Sequence, residues 1–183
     1  PEENIYVLTN VKYQSKVVDQ LKINKEQVLC EPMRKNTAPC IAYATAKIYK
    51  KDSNALILVS PSDHLIFNEK QFFSDLTLGI EQARNSNNLV TYGIKPSRPD
   101  TGYGYIEFDH HQNKSLVSKV KQFREKPDLA AAQEFIQKGN FYWNSGMFVW
   151  KAETIVNSFK QNAKELYQIF FKCRNIVYRH IAT

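Results

Sequence analysis

Alternation of short apolar runs with longer amphipathic stretches is the feature that most limits what this chain can fold into. Ala55 to Ser60 (ALILVS) is the clearest run, apolar nearly throughout, as strands of parallel sheets tend to be. Ile5 to Thr9, Val28 to Glu31 and Leu89 to Ile94 read as further strands. Tyr105 to Asp109 and Leu116 to Phe123 read as two strands joined by a polar turn, and Phe141 to Trp150 as a strand interrupted at Asn144-Ser145-Gly146. Helical spacing covers Tyr13 to Ile23, Thr37 to Lys51, Gln71 to Asn85, Leu129 to Lys138 and most of the chain from Glu153 onward. Asn36 is a fair N-cap for the second of these, and Pro39 is tolerable in its first turn. This order predicts an α/β fold with a largely parallel sheet. In such sheets ligands bind beyond the carboxyl ends of the strands, so the residues just after each strand are the candidates for chemistry.

A chain of 183 residues suits one domain with a real core. The balance of 25 Lys+Arg against 18 Asp+Glu gives a formal charge of +7, which favours anionic partners or is simply a solvated basic surface. The basic residues are dispersed and match no nucleic-acid-binding module, so no nucleic-acid partner is expected. No apolar run reaches membrane-spanning length, and Pro1-Glu2-Glu3-Asn4 has no signal-peptide character, so no membrane partner is expected. Cys30, Cys40 and Cys173 are too few and too widely spaced for a disulfide framework or a zinc pattern, which points to a reducing cytoplasm.

Five segments carry candidate chemistry, each with a plainer alternative. Glu31-Pro32-Met33-Arg34-Lys35-Asn36-Thr37 leaves a strand and enters a helix. A carboxylate there can accept from both donors on the Watson–Crick edge of guanine, or be an ordinary exposed acid. Pro61-Ser62-Asp63-His64 follows the most apolar strand. Asp63 can hold a hard cation that also grips phosphate, or cap the next turn. Thr101-Gly102-Tyr103-Gly104-Tyr105 lets backbone approach a ligand, or makes a tight turn; its glycine spacing is neither a Rossmann nor a P-loop fingerprint. Phe123-Arg124-Glu125-Lys126-Pro127 ends a strand. Its Glu and Lys point to opposite faces unless a bend at Pro127 turns both towards a cleft. Tyr142-Trp143-Asn144-Ser145-Gly146-Met147-Phe148 places a polar step inside an aromatic strand, which is a site or a bulge with Gly146 at its kink.

Taken in order, EPMRKNTAP (31–39), PSDH (61–64), GIKPSRPDTGYGYI (93–106), FREKP (123–127) and YWNSGMF (142–148) resemble the sugar-1-phosphate nucleotidyltransferases, specifically the mannose-1-phosphate guanylyltransferases, over about residues 4 to 170. The resemblance implies a Rossmann-like three-layer α/β/α fold with a mostly parallel sheet, and one nucleotidyltransferase domain over 1–183. It implies GTP and mannose 1-phosphate as partners and Mg2+ as cofactor. Glu31, Asn36, Thr37 and Ser62 would serve the nucleotide, and Gly104, Glu125 and Asn144 the sugar. Asp63 would be the metal ligand and, with Lys126 on the sugar phosphate, catalytic. The five segments are expected to converge on one cleft.

The family's glycine-rich loop has no counterpart before Asn4, its second metal-binding Asp has none before Thr183, and Lys35 stands where Arg is usual. The expectation is therefore an incomplete domain that does not turn over by itself. Two other readings stay open: a non-catalytic regulatory homologue that binds nucleotide sugars, and a parent named for a fused mannose-6-phosphate isomerase domain. An assembly of identical copies is left open too.

Overall fold

A computed structural model describes residues 2–31, 37–109 and 116–172. The described chain divides into two compact units, one from Pro1–Ile57 and Lys151–Thr183, the other Leu58–Trp150.

In the first unit, β1 (Val7–Asn10) pairs in parallel with β2 (Val28–Glu31), with Val7 opposite Val28. The helix between them, α1 (Gln14–Leu21), stops at Lys22, whose left-handed backbone (φ 55°) ends the turn. Gln27 pins the start of β2, its amide donating to the carbonyls of Glu2 and Ile5. Helix α2 (Thr37–Lys51) buries Ala42, Ala44 and Ala46, small side chains that let neighbouring elements approach closely. It packs on α5 (Ala152–Asn162), which buries Ile155, Val156 and Phe159. Ala163, at φ −140°, breaks the helix before the short α6 (Lys164–Tyr167). Cys30 and Cys40 are free thiols.

The second unit is built on a sheet ordered β3 (Leu56–Val59), β7 (Phe141–Lys151), β5 (Tyr105–Phe108), β6 (Val120–Arg124), with β4 (Val90–Ile94) also paired to β7. Helix α3 (Glu69–Asn85) is capped by Asn68, whose Oδ1 accepts from the Gln71 N–H at 3.1 Å. Helix α4 (Leu129–Lys138) is capped by Asp128 at 2.8 Å and ends on Gly139, whose φ of 73° suits glycine. Tyr105, Ala132, Phe135, Phe141 and Trp143 form a core between α4 and the sheet, with the Phe135 and Phe141 rings stacked at 4.1 Å. Gly79 of α3 faces Tyr92, whose hydroxyl donates to the Leu76 carbonyl at 3.1 Å. A Cβ at Gly79 would collide with that ring, so Gly79→Ala is expected to lose about 1–3 kcal/mol of stability. Urea unfolding that leaves the midpoint unchanged would contradict this packing.

The α/β alternation is as the sequence reads, but the sheet is only partly parallel. β1–β2 is parallel, whereas β4–β7, β5–β6 and β5–β7 are antiparallel. β5 and β6, consecutive in the chain, run antiparallel and not in the parallel sense that the alternation predicts. β6 begins at Val120 rather than Leu116, which is exposed. β3 is less enclosed than its composition suggests, with Leu58 44% exposed. Nor is β7 interrupted: burial alternates along its length, and the Asn144–Gly146 step is absorbed as a bulge against β4, where the register shifts between Thr91 and Gly93.

Candidate functional site

The clearest grouping lies in the second unit. Gly104 enters β5, Glu125 follows β6, and Asn144 sits in β7. A Cβ built on Gly104 would lie 2.8 Å from Glu125 Oε2 and 3.7 Å from Asn144 Cβ, so these three expected residues meet. The Gly104 carbonyl accepts from the Asn144 N–H at 2.8 Å, which fixes the two backbones together. Asn144 Oδ1 accepts from the Gly146 N–H at 3.1 Å. That bond commits the amide's acceptor to the bulge and leaves its Nδ2 hydrogens as donors for a ligand.

Lys126 joins the group through an unusual backbone. Its φ is 41°, left-handed for a residue with a side chain and next to a proline. The bend expected at Pro127 is made at Lys126, and it undoes the strand rule that would send Glu125 and Lys126 to opposite faces. Their charged ends lie 3.9 Å apart, both well exposed, so the pair adds little stability and is accessible to a ligand. Non-glycine residues held at positive φ concentrate at functional sites.

Pro61, heading the Ser62-Asp63-His64 segment, lies against Gly146. A Cβ there would be 3.1 Å from Pro61 Cγ, and Gly146 needs its φ of 72° besides. Ser62 and Asp63 are exposed. Among the described residues no three His, Cys, Asp or Glu side chains group as a metal site. Mg2+ usually takes one or two carboxylates and completes its shell with water and phosphate, so a single open carboxylate is compatible with it.

In the first unit Glu31 closes β2 and Thr37 opens α2 as an exposed residue; Asn36 lies outside the described residues. The Cys40 thiol on α2 donates to the Glu31 carboxylate. Burial, then the Glu31 charge and this hydrogen bond, push the thiol up to about 12.

Ser145, Arg98 and Asp100 lie in quoted segments, but the sequence reading gives them no role of their own. Ser145 is buried, its hydroxyl donating to the Tyr92 carbonyl at 2.7 Å and accepting from Met147 N–H at 3.1 Å, so it holds the bulge rather than a ligand. Asp100 Oδ1 accepts from the Gly102 N–H at 2.8 Å, and Oδ2 pairs with Arg98. The Asp-x-Gly spacing is the signature of such a turn and could have exposed it.

The family described as Nucleotidyl transferase matches residues 2–182. The chain belongs to that family. Its nucleotidyl transferase relatives include the alginate biosynthesis protein AlgA of Pseudomonas aeruginosa, 36% identical over 165 residues, covering 88% of this chain and 34% of AlgA. A mannose-1-phosphate guanylyltransferase of Salmonella montevideo is 39% identical over 162 residues, covering 84% of this chain and 34% of its own length. The chain thus spans about a third of these relatives. Among solved structures, a Thermus thermophilus protein described as a mannose-1-phosphate geranyltransferase superposes with a TM-score of 0.84 at 25% identity, over 94% of this chain and 49% of that one. A Helicobacter pylori protein described as a mannose-6-phosphate isomerase superposes at 0.76 with 34% identity, over 89% of this chain and 61% of that one. Among the described residues, no helix is long and apolar enough to cross a membrane.

Proposed function

We propose that the full-length nucleotidyl transferase moves a guanylyl group from GTP to mannose 1-phosphate, giving GDP-mannose and pyrophosphate. The meeting of Gly104, Glu125 and Asn144 carries this reading. It makes a corner with an anionic acceptor, an amide donor and a backbone stripped of side chain between them. Hexose hydroxyls both donate and accept, and such a corner answers both needs. Lys126 is the adjacent cation for the sugar phosphate. The Salmonella relative's name supplies the sugar and the base.

Glu31, half-buried at the end of β2, accepts from the guanine N1–H and amine, and nucleotide binding is also the role given to Asn36, Thr37 and Ser62. Asp63 would hold Mg2+, which supplies neutralisation of the triphosphate and polarisation of its α-phosphorus. A phosphate oxygen of mannose 1-phosphate attacks the α-phosphorus in line. The bond from that phosphorus to the bridging oxygen breaks, and pyrophosphate leaves with its electron pair. No side chain forms a covalent bond. Glu125 and Asn144 fix the sugar, Lys126 offsets charge on the attacking phosphate, and Glu31 fixes the base.

Pyrophosphate release by the full-length protein tests this. It is expected only with GTP, mannose 1-phosphate and Mg2+ together; binding of the substrates without release would make the protein a non-catalytic homologue. Gly104→Ala adds a methyl group against the movable end of Glu125, so it is expected to raise the KM for mannose 1-phosphate about tenfold with little change in melting temperature. An unchanged sugar KM in that variant would count against the corner. A second reading comes from the Helicobacter pylori relative's name: mannose-6-phosphate isomerisation by a further domain of the full-length protein. Turnover of mannose 6-phosphate, tested alongside, decides it.

A further inference from the structure

We propose that Asp100 is a positioning residue of the hexose-phosphate corner, locking the loop from Arg98 to Gly104 so that Gly104 backbone meets Glu125 and Asn144. The proposal rests on the reading of that corner given above. Asp100 sits where three constraints meet. Its Oδ1 accepts from the Gly102 N–H at 2.8 Å, closing a turn two residues before Gly104. Its Oδ2 pairs with the Arg98 guanidinium at 2.5 Å, and that guanidinium lies 5.4 Å from the centre of the Trp143 ring, next to Asn144 in sequence. Its carbonyl accepts at 2.9 Å from the hydroxyl of Tyr105, which has no exposed surface.

These contacts join the loop to the core on both sides of the glycines. Gly102 itself answers to Asp100, since a Cβ there would stand 3.1 Å from Oδ1, just as Gly104 answers to Glu125. The Gly102 N–H first, and the Arg98 guanidinium with it, hold the Asp100 carboxyl below its usual range against the opposing effect of burial. Asp100 therefore stays an anion while the loop keeps this form. Only Thr101, Gly102 and Tyr103 separate it from Gly104, so a released turn displaces the carbonyl that accepts from Asn144. Glu125 and Asn144 would then no longer face one hexose.

Steady-state kinetics of the full-length protein test the role, with Asp100→Ala, Asp100→Asn and Asn144→Ala compared. Asp100→Ala removes both the turn acceptor and the ion pair. It is expected to raise the KM for mannose 1-phosphate about tenfold while the KM for GTP stays within about twofold. Asp100→Asn keeps an acceptor for Gly102 and is expected to stay within about threefold of the parent, a rescue that mere loss of folding would not give. If Asp100→Ala does not fold, Asp100→Leu, which keeps the volume but has no acceptor for the Gly102 N–H, takes its place with the same expectation. Unchanged sugar KM in the alanine or leucine variant, or equal rises in both KM values, overturns the proposal. Asn144→Ala separates the two levels: if it raises the sugar KM and Asp100→Ala does not, Asp100 has no positioning role. If neither raises it, the corner reading falls as well.

Discussion

Glu125→Ala in the full-length protein is expected to lower kcat/KM for mannose 1-phosphate about a hundredfold or more, with the KM for GTP nearly unchanged. The carboxylate faces Gly104 with Asn144 alongside, and its ion pair to Lys126 is loose and exposed. It is thus available to accept from sugar hydroxyls. Hydrogen bonds to a charged group contribute roughly 1.5–3 kcal/mol each, and two of them exceed the roughly 2.7 kcal/mol that a hundredfold needs. Stability should hardly change, because an exposed pair of this kind contributes about 0–1 kcal/mol. Glu125→Gln keeps one acceptor and should fall between parent and alanine variant. Equal losses for both substrates would mean that Glu125 acts on the enzyme as a whole and not on the sugar.

Glu31→Gln is expected to shift the ratio of kcat/KM values for GTP and UTP by a factor of ten or more towards UTP. A carboxylate accepts from both adjacent donors of guanine, whereas an amide presents a donor to one of them. One buried donor left unpaired costs about 1–3 kcal/mol, and a tenfold shift corresponds to about 1.4 kcal/mol, within that range. Unchanged selectivity would remove Glu31 from base recognition. A second readout needs no turnover. The Glu31 charge and hydrogen bond help to push the Cys40 thiol up to about 12, after burial as the main cause. The folded pKa lies above the ordinary one, so the thiol stays protonated through neutral and mildly alkaline pH. In Glu31→Gln that pKa should fall, and Cys40 should alkylate faster at pH about 9 than in the parent.

Much of the fold was legible because helical and strand periodicities are local. The helices from Thr37, Gln71 and Leu129 appear with their ends within two residues of expectation, and Asp128 and Gly139 mark the last of them at either end. Strand direction was not legible: it depends on long-range pairing that composition does not encode, and β4, β5 and β6 pair antiparallel. Leu116 misled because leucine carries no sign of where a strand begins. In the candidate site the residue types were readable one by one, but their meeting was not. Nothing local in FREKP says that Lys126 takes a left-handed backbone and keeps Glu125 on its own side. Likewise the polar step at Asn144 revealed a conflict, but only the register against β4 shows that Gly146 resolves it as a bulge within a continuous strand. Asp100 went unseen because its partners are a backbone N–H and a buried phenol, contacts that no motif of ligand-binding residue types records.

Exchange of labelled pyrophosphate into GTP, catalysed by the full-length protein with Mg2+, bears most directly on nucleotidyl transfer in a single displacement. Label is expected to enter GTP when GDP-mannose is present, and not when GTP and pyrophosphate are alone. Exchange without any sugar nucleotide would mean a nucleotidylated side chain, and no exchange under either condition would contradict nucleotidyl transfer itself.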